Sequence, residues 1–353
     1  METLRINTSE GESRILIAPG ARDEARALSG RKLLVCDSNV AKLHGKWAEE
    51  ALKPEGVFVF PAGEGSKNID TVIGVCRRAA ALHLDRRSVF VALGGGVTGD
   101  LAGFAAAIYL RGVEVIQIPT TLLAMVDSSV GGKTAVDIPE GKNLVGAFHQ
   151  PRRVFSDPRF LATLPRRELG NGLAEAVKTA MLGDEELFLM LEKLGGALLK
   201  APLPEAAYEE TVLRCCRVKA AVVAEDEKEH GCRAILNYGH TFGHALELLS
   251  DFSLPHGEAV AIGMTVAARL AVKLKLLSAE ILERQTALLR VLGLPTEPPF
   301  AVDPGAWLEA MSGDKKARDG RVVLILPEAI GKVREEPDLP PEELAAFLKE
   351  ITA

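Results

Sequence analysis

From residue 31 to residue 118 the chain repeats one pattern. A short, almost wholly apolar run is followed by a turn residue and then by a stretch in which apolar positions recur every three or four residues. The apolar runs Arg31–Cys36, Gly56–Phe60, Ser88–Leu93 and Val113–Ile118 predict strands, and the stretches between them predict helices. Strands alternating with helices in this way form a parallel sheet covered by helices. Asp, Pro or Gly follows each run, and in open α/β sheets ligands bind beyond the carboxyl ends of the strands. The segments Asp37-Ser38-Asn39, Gly63-Glu64-Gly65-Ser66-Lys67, Gly94-Gly95-Gly96 and Pro119-Thr120-Thr121 are therefore expected to line one crevice.

Beyond about Pro165 the periodicity becomes helical, as in Leu173–Leu191, Pro204–Ala224 and Ala259–Leu277. Arg321–Leu326 predicts one short strand, and Pro341–Phe347 a terminal helix opened by proline. The expected architecture is an α/β, Rossmann-like N-terminal domain (1–160) and a mainly α-helical C-terminal domain (161–353). Their boundary is marked only by a shift in composition.

The length of 353 residues agrees with two domains, since single cores rarely grow so large. Hydrophobic residues at 47% and charged residues at 25% are those of an ordinary globular chain. A net charge of −6 argues against nucleic acid or an anionic membrane as partner, so an anionic ligand must be met by a local cluster of cations. The start, Met1 to Asn7, has no apolar core behind basic residues, and no apolar run reaches the ~18 residues of a membrane span, so a cytoplasmic location is expected. The five cysteines lack CxxC spacing and read as reduced thiols; Cys232 is set apart only by its closeness to the histidines below.

Three constellations suggest chemistry. The strand ending at Leu93 runs directly into Gly94-Gly95-Gly96-Val97-Thr98-Gly99-Asp100. Gly94, Gly96 and Gly99 satisfy G-x-G-x-x-G between a strand and an apolar helix, where backbone and helix N-terminus can cradle a pyrophosphate. The same glycines also suit a tight turn with no ligand. The next strand ends in Pro119-Thr120-Thr121 where a ribose-binding acid is expected, which leaves Asp37 and Glu64 as the available carboxylates.

Four of the seven histidines, His230, His240, His244 and His256, fall in one short region. His240 and His244 share a face if their segment is helical. Catalytic zinc favours three protein ligands and one open position, which two histidines and a distant carboxylate could supply. Glu175, among small and apolar residues with Lys178 at i+3, is a candidate. Helix capping, satisfied core histidines and a solvated glutamate are the plainer alternatives. Finally, Lys133 and Lys142 stand beside glycines and hydroxyls in Asp127–Thr134 and Gly141-Lys142-Asn143, with further cations at Lys178, Lys219, Arg233, Lys315 and Lys316. Such placement in an acidic chain suits a small anionic substrate, although any single lysine could be a solvated surface charge.

Together these segments resemble the 3-dehydroquinate synthase family. The likeness runs from about Asp37 to Gly331 and is carried by Gly94–Asp100, Pro119–Ser129, Gly131-Gly132-Lys133-Thr134, Gly141–Leu144 and Leu236–Thr241. The resemblance implies a dehydroquinate synthase-like fold with NAD and Zn2+ (or Co2+) as cofactors. It implies metal ligands at Glu175, His240 and His256, with His244 in the active site but off the metal. NAD contacts are implied at Asp37, Asn39, Gly63, Glu64, Lys67, Gly95, Gly96, Val97, Thr98, Gly99, Asp100, Thr120, Thr121, Asp127, Lys133, Lys142, Phe160 and Thr163. Substrate contacts are implied at Lys133, Asn143, Lys178, Lys219, Arg233, Asn237, His244 and one of Lys315 and Lys316, with Arg111 supplied by the second subunit of a homodimer. The implied substrate is a sugar phosphate, 3-deoxy-D-arabino-heptulosonate 7-phosphate. The implied steps are transient NAD oxidation, phosphate elimination, reduction and intramolecular aldol closure. Another sugar-phosphate cyclase, of the 2-deoxy-scyllo-inosose or valiolone type, and a metal-dependent polyol dehydrogenase are the alternatives.

Overall fold

A computed structural model describes residues 2–9, 11–229, 231–312, 322–336 and 339–352. His230, Lys315, Lys316 and the first residue of the strand expected from Arg321 lie outside the described residues. The chain divides into two compact units, Met1–Glu168 with Pro202–Lys228, and Leu169–Ala201 with Glu229–Ala353.

The first unit is built on β1 (Glu2–Thr8), β2 (Gly11–Ile17), β3 (Lys32–Asp37), α1 (Ser38–Leu52), β4 (Gly56–Phe60), α2 (Ile69–Ala81), β5 (Val89–Gly94), α3 (Gly96–Ile108) and β6 (Glu114–Pro119). It continues through the hairpin β7 (Lys133–Ile138) and β8 (Gly141–Phe148) to β9 (Arg153–Ser156). The seven-stranded sheet has the order β1-β2-β9-β6-β5-β3-β4; β1 is antiparallel to β2, and every other pair is parallel. The four expected strands are all present, each within one residue of its expected limits. In β3 the apolar run is continuous because both faces are covered, with Leu33, Leu34, Val35 and Cys36 all fully buried, whereas β4 ends the sheet and leaves Val59 exposed. Register aligns Asp37 with Phe60 and Gly94 with Pro119, so the carboxyl ends of β4, β3, β5 and β6 lie side by side, as the turn residues suggested.

The edge hairpin β1–β2, the hairpin β7–β8 and β9 were not anticipated. In β1 and β2 only alternate positions such as Ile6, Ile15 and Ile17 are buried, a weaker pattern than a continuous apolar run. In β8, a Cβ on Gly146 would stand 2.0 Å from the Thr134 carbonyl oxygen, so the hairpin closes only over glycine.

The second unit contains most of α4 (Arg166–Gly183) and then α5 (Glu185–Leu194). The expected Leu173–Leu191 helix is divided between these two, because Asp184 caps α5 by accepting from the Leu187 N–H. Helix α6 (Glu205–Glu225) belongs to the first unit, not to the helical domain expected from 161 onward. Its Cys216 Sγ donates to the Met125 carbonyl at 3.3 Å, and Lys219 Nζ pairs with Asp127 at 2.6 Å. Helical periodicity shows that a face is buried without showing against which core.

The remaining elements of the second unit are α7 (His240–Leu249), α8 (His256–Lys273), α9 (Ala279–Val291), α10 (Pro304–Ser312), β10 (Leu324–Ala329), β11 (Lys332–Glu336) and α11 (Pro341–Thr352). Helices α7 and α8 meet backbone to backbone. A Cβ on Gly263 would lie 2.0 Å from the Gly239 carbonyl oxygen, and one on Gly243 would lie 2.9 Å from that of Ala259. Gly239, just before α7, takes a left-handed conformation (φ 78°) that a residue with a side chain rarely adopts.

Candidate nucleotide site and metal centre

In the first unit the glycine turn is shaped by close approach. A Cβ on Gly94 would collide with Thr98 Oγ1 at 2.3 Å, and one on Gly99 would come within 2.8 Å of Gln117 Oε1, so the helix seats directly on the sheet. Gly95 and Gly96 face Thr121 and Ser128 at 3.0 and 3.3 Å from their would-be Cβ positions. No side chain caps α3, and its first-turn N–H groups are available to an anion.

The surrounding polar groups are interlocked. Asp37 Oδ1 accepts from the N–H groups of Asn39 and Val40, capping α1 at the end of β3. Lys67 is buried and reaches Asp100 Oδ2 at 2.6 Å and Asn143 Oδ1 at 2.5 Å, with Glu64 Oε1 at 3.9 Å. Burial opposes the Lys67 cation, but Asp100 and Glu64 outweigh it and raise the ammonium pKa. Asn143 has φ 55°, and its N–H donates to Asp137 Oδ1 at 2.8 Å, which holds this left-handed position beside Lys142. Asp127 lies in a π-helical turn over Ala124–Ser128 and receives Lys219 on both its carboxylate and its carbonyl. Phe160 is buried, and Thr163 Oγ1 donates to the Phe160 carbonyl and lies 3.0 Å from His44 Nε2.

In the second unit, Glu175, His240 and His256 come together although they are far apart in the chain. Glu175 Oε1 is 3.5 Å from His240 Nε2 and 3.3 Å from His256 Nε2, and one donor atom from each residue fits within 4.8 Å of the other two. Tetrahedral zinc with bonds of ~2.0–2.1 Å separates adjacent donors by about 3.3 Å, so these spacings suit a shared ion. Lys178 Nζ sits 2.5 Å from Glu175 Oε2, while both imidazoles face Oε1. Burial alone would raise the Glu175 pKa, but Lys178 and His256 hold it well below the usual carboxylate range. For His256, burial disfavours the cation, yet Glu175 and Glu247 prevail and raise its pKa to about 10. The group is thus a poised anion with two imidazoles, a donor set suited to a divalent ion of borderline softness.

His244 follows His240 by one turn of α7, with ring centroids 5.1 Å apart, and lies 4.0 Å from Glu247 Oε2 rather than in the triad. Arg233 is buried, and the Asn237 amide lies 3.4 Å from Glu229 Oε1. Lys133 is exposed at the start of β7. Arg111, with Leu110, has a left-handed backbone just after α3. The five cysteines are free thiols. Sequence reasoning missed Glu247 and Asp137. Each stands close to a named residue, Glu247 at i+3 from His244 and Asp137 four positions after Lys133, but nothing in the pattern distinguishes them from solvated carboxylates.

Two family models together match most of the chain: 3-dehydroquinate synthase N-terminal over residues 57–171 and 3-dehydroquinate synthase C-terminal over residues 172–317. A 3-dehydroquinate synthase from Nostoc punctiforme is 45% identical over 98% of each chain. Among solved structures, a 2-epi-5-epi-valiolone synthase from Streptomyces hygroscopicus subsp. jinggangensis with NAD+ and Zn2+ bound superposes with a TM-score of 0.88 at 34% identity, covering 96% of each chain. A 2-deoxy-scyllo-inosose synthase complexed with carbaglucose-6-phosphate, NAD+ and Co2+ gives 0.88 at 30% identity, covering 99% of each.

Proposed function

Because this chain belongs to the 3-dehydroquinate synthase family, we propose that it converts 3-deoxy-D-arabino-heptulosonate 7-phosphate to 3-dehydroquinate and phosphate, using NAD and a zinc or cobalt ion. The observation that supports this most directly is the Glu175–His240–His256 triad, whose donor spacing matches a single tetrahedral ion. When bound, NAD would supply a reversible oxidation of a substrate alcohol, and the divalent ion Lewis acidity at that oxygen.

The protein's own groups do the remaining work in this reading. Gly95, Gly96 and the α3 N-terminus hold the pyrophosphate, and Asp37 and Glu64 grip the ribose in place of the missing acid after β6. Lys67 keeps Asn143 and Asp100 in position. Lys133, Lys219, Lys178 and Arg233 neutralise the phosphate and carboxylate of the substrate, and Asn143 and Asn237 orient its hydroxyls. Lys178 also keeps Glu175 ionised. His244, beside the triad but outside it, is placed to move a proton. The cofactor would end unchanged, so turnover releases phosphate with no net NADH.

The same reading holds the enzyme to be a cytoplasmic homodimer. Leu110 is 40% exposed on a strained left-handed backbone beside Arg111, in keeping with Arg111 being presented to a second copy. Among the described residues no helix is long and apolar enough to cross a membrane. A coupled assay for phosphate and 3-dehydroquinate, with and without exhaustive chelation, tests the function. Net NADH production from a polyol, or activity only on a sugar phosphate lacking the carboxylate, would replace it with one of the alternative activities.

A further inference from the structure

The structure assigns Glu247 a positioning role: its buried carboxylate fixes the ring orientation and tautomer of His256, so that Nε2 is presented to the metal. The inference rests on the metal-centre reading above. Glu247 is 4% exposed and lies on the same face of α7 as His240 and His244. Its Oε2 is 3.4 Å from His256 Nδ1, while His256 Nε2 lies 3.3 Å from Glu175 Oε1. The imidazole therefore stands between two carboxylates, one at each nitrogen. A neutral imidazole that ligates through Nε2 carries its proton on Nδ1, and a fixed acceptor there selects that tautomer and stops the ring from rotating. For His240 the corresponding acceptor is the Tyr238 carbonyl, 3.2 Å from Nδ1. His256 instead has a carboxylate, which makes it the more basic of the two ligands and ties α7 to the first residue of α8. The separation of 3.4 Å is long for a hydrogen bond, and ligation at Nε2 is expected to shorten it by leaving Nδ1 as the sole donor.

A purely structural role, in which Glu247 only ties two helices together, makes a different prediction. The test is zinc affinity measured by competition with a chromophoric chelator on the full chain, together with the visible absorption of the cobalt-loaded protein. Glu247→Ala is expected to weaken zinc binding about 10- to 100-fold and alter the cobalt spectrum. Glu247→Gln retains an acceptor but loses the charge, and its loss should be smaller, about 3- to 10-fold. A zinc affinity within twofold of wild type in Glu247→Ala, with only the metal-free melting temperature lowered, overturns the proposal. If Glu247→Ala does not fold, Glu247→Gln decides alone, and an unchanged affinity and spectrum overturn it. Absence of zinc binding in the wild-type chain overturns the metal-centre reading as well; zinc bound by wild type but lost in His256→Ala confines any failure to Glu247.

Discussion

Gly257 offers the most direct test of how packing builds the proposed metal centre. It follows His256 at the start of α8, where α8 crosses α4 one turn before Glu175. A Cβ at Gly257 would meet the Cα, O and C of Asn171 at 2.4, 2.5 and 2.8 Å. These are backbone atoms, so no side-chain rotation relieves the clash, and ordinary contact begins near 3.4 Å. Gly257→Ala must then move the helices apart by about 1 Å, at a cost of ~1–3 kcal/mol. Carried into the site, that shift lengthens the 3.3 Å spacing between His256 Nε2 and Glu175 Oε1 to about 4.3 Å. Two bonds of ~2.0–2.1 Å reach at most about 4.2 Å even when collinear, so an ion can bond both atoms only if the ligands are drawn back together against the clash. At 1.4 kcal/mol per decade, a strain of that size weakens zinc binding about 5- to 150-fold. The assay is chelator competition, with thermal unfolding in the presence and absence of zinc. The zinc-dependent rise in melting temperature should shrink while the metal-free protein still folds. Gly45→Ala is the matched control. Its Cβ would meet only Ala41 Cβ, at 4.0 Å, and the change should stabilise α1 by up to ~1 kcal/mol without affecting zinc. A Gly257→Ala protein that binds zinc as wild type does would refute the claim that this backbone contact sets the ligand spacing.

Zinc binding should depend on pH through His256. Its folded, metal-free pKa of about 10 lies above the ordinary 6.5, so zinc must displace a proton, and affinity should fall about tenfold per pH unit below 10 from this group alone. The same raised pKa gives the metal-free protein stability that is full below about 6.5 and lost as pH rises towards 10, which denaturation across that range would reveal. Lys178→Met leaves Glu175 buried without its closest cation; the metal-free protein should lose about 3 kcal/mol in denaturant unfolding, partly regained with zinc, and an unchanged midpoint would contradict the pairing. Gly95→Ala adds a Cβ 3.0 Å from Thr121 Cγ2 and lifts the turn away from a pyrophosphate; calorimetry should show NAD binding weakened at least ~10-fold, and an unaltered affinity would count against the cradle.

Much of this protein is legible in local pattern. Continuous apolar runs identified β3, β5 and β6 because a strand covered on both faces needs no polar side, a similar run marked β4 at the sheet edge, and the turn residues after each run marked the aligned carboxyl ends. The glycine signature and the paired imidazoles of α7 were visible for the same reason: one turn or one helical repeat places their atoms. Edge strands with alternating burial, the hairpin closed over Gly146, and the assignment of α6 to the first unit were not visible, since each depends on which distant surface lies opposite.

The same division runs through the site. Sequence by itself offered the candidate donors and cations and the alternation of β3 to β6 with their helices, because residue type and short-range period carry those. Only the tertiary structure decided that Glu175 meets His240 and His256, that Glu247 rather than another carboxylate stands behind His256, and that Asp137 holds Asn143. Those contacts depend on backbone approaches such as Gly257 on Asn171 and Gly263 on Gly239, and distances of that kind come from packing, which no periodicity along the chain encodes.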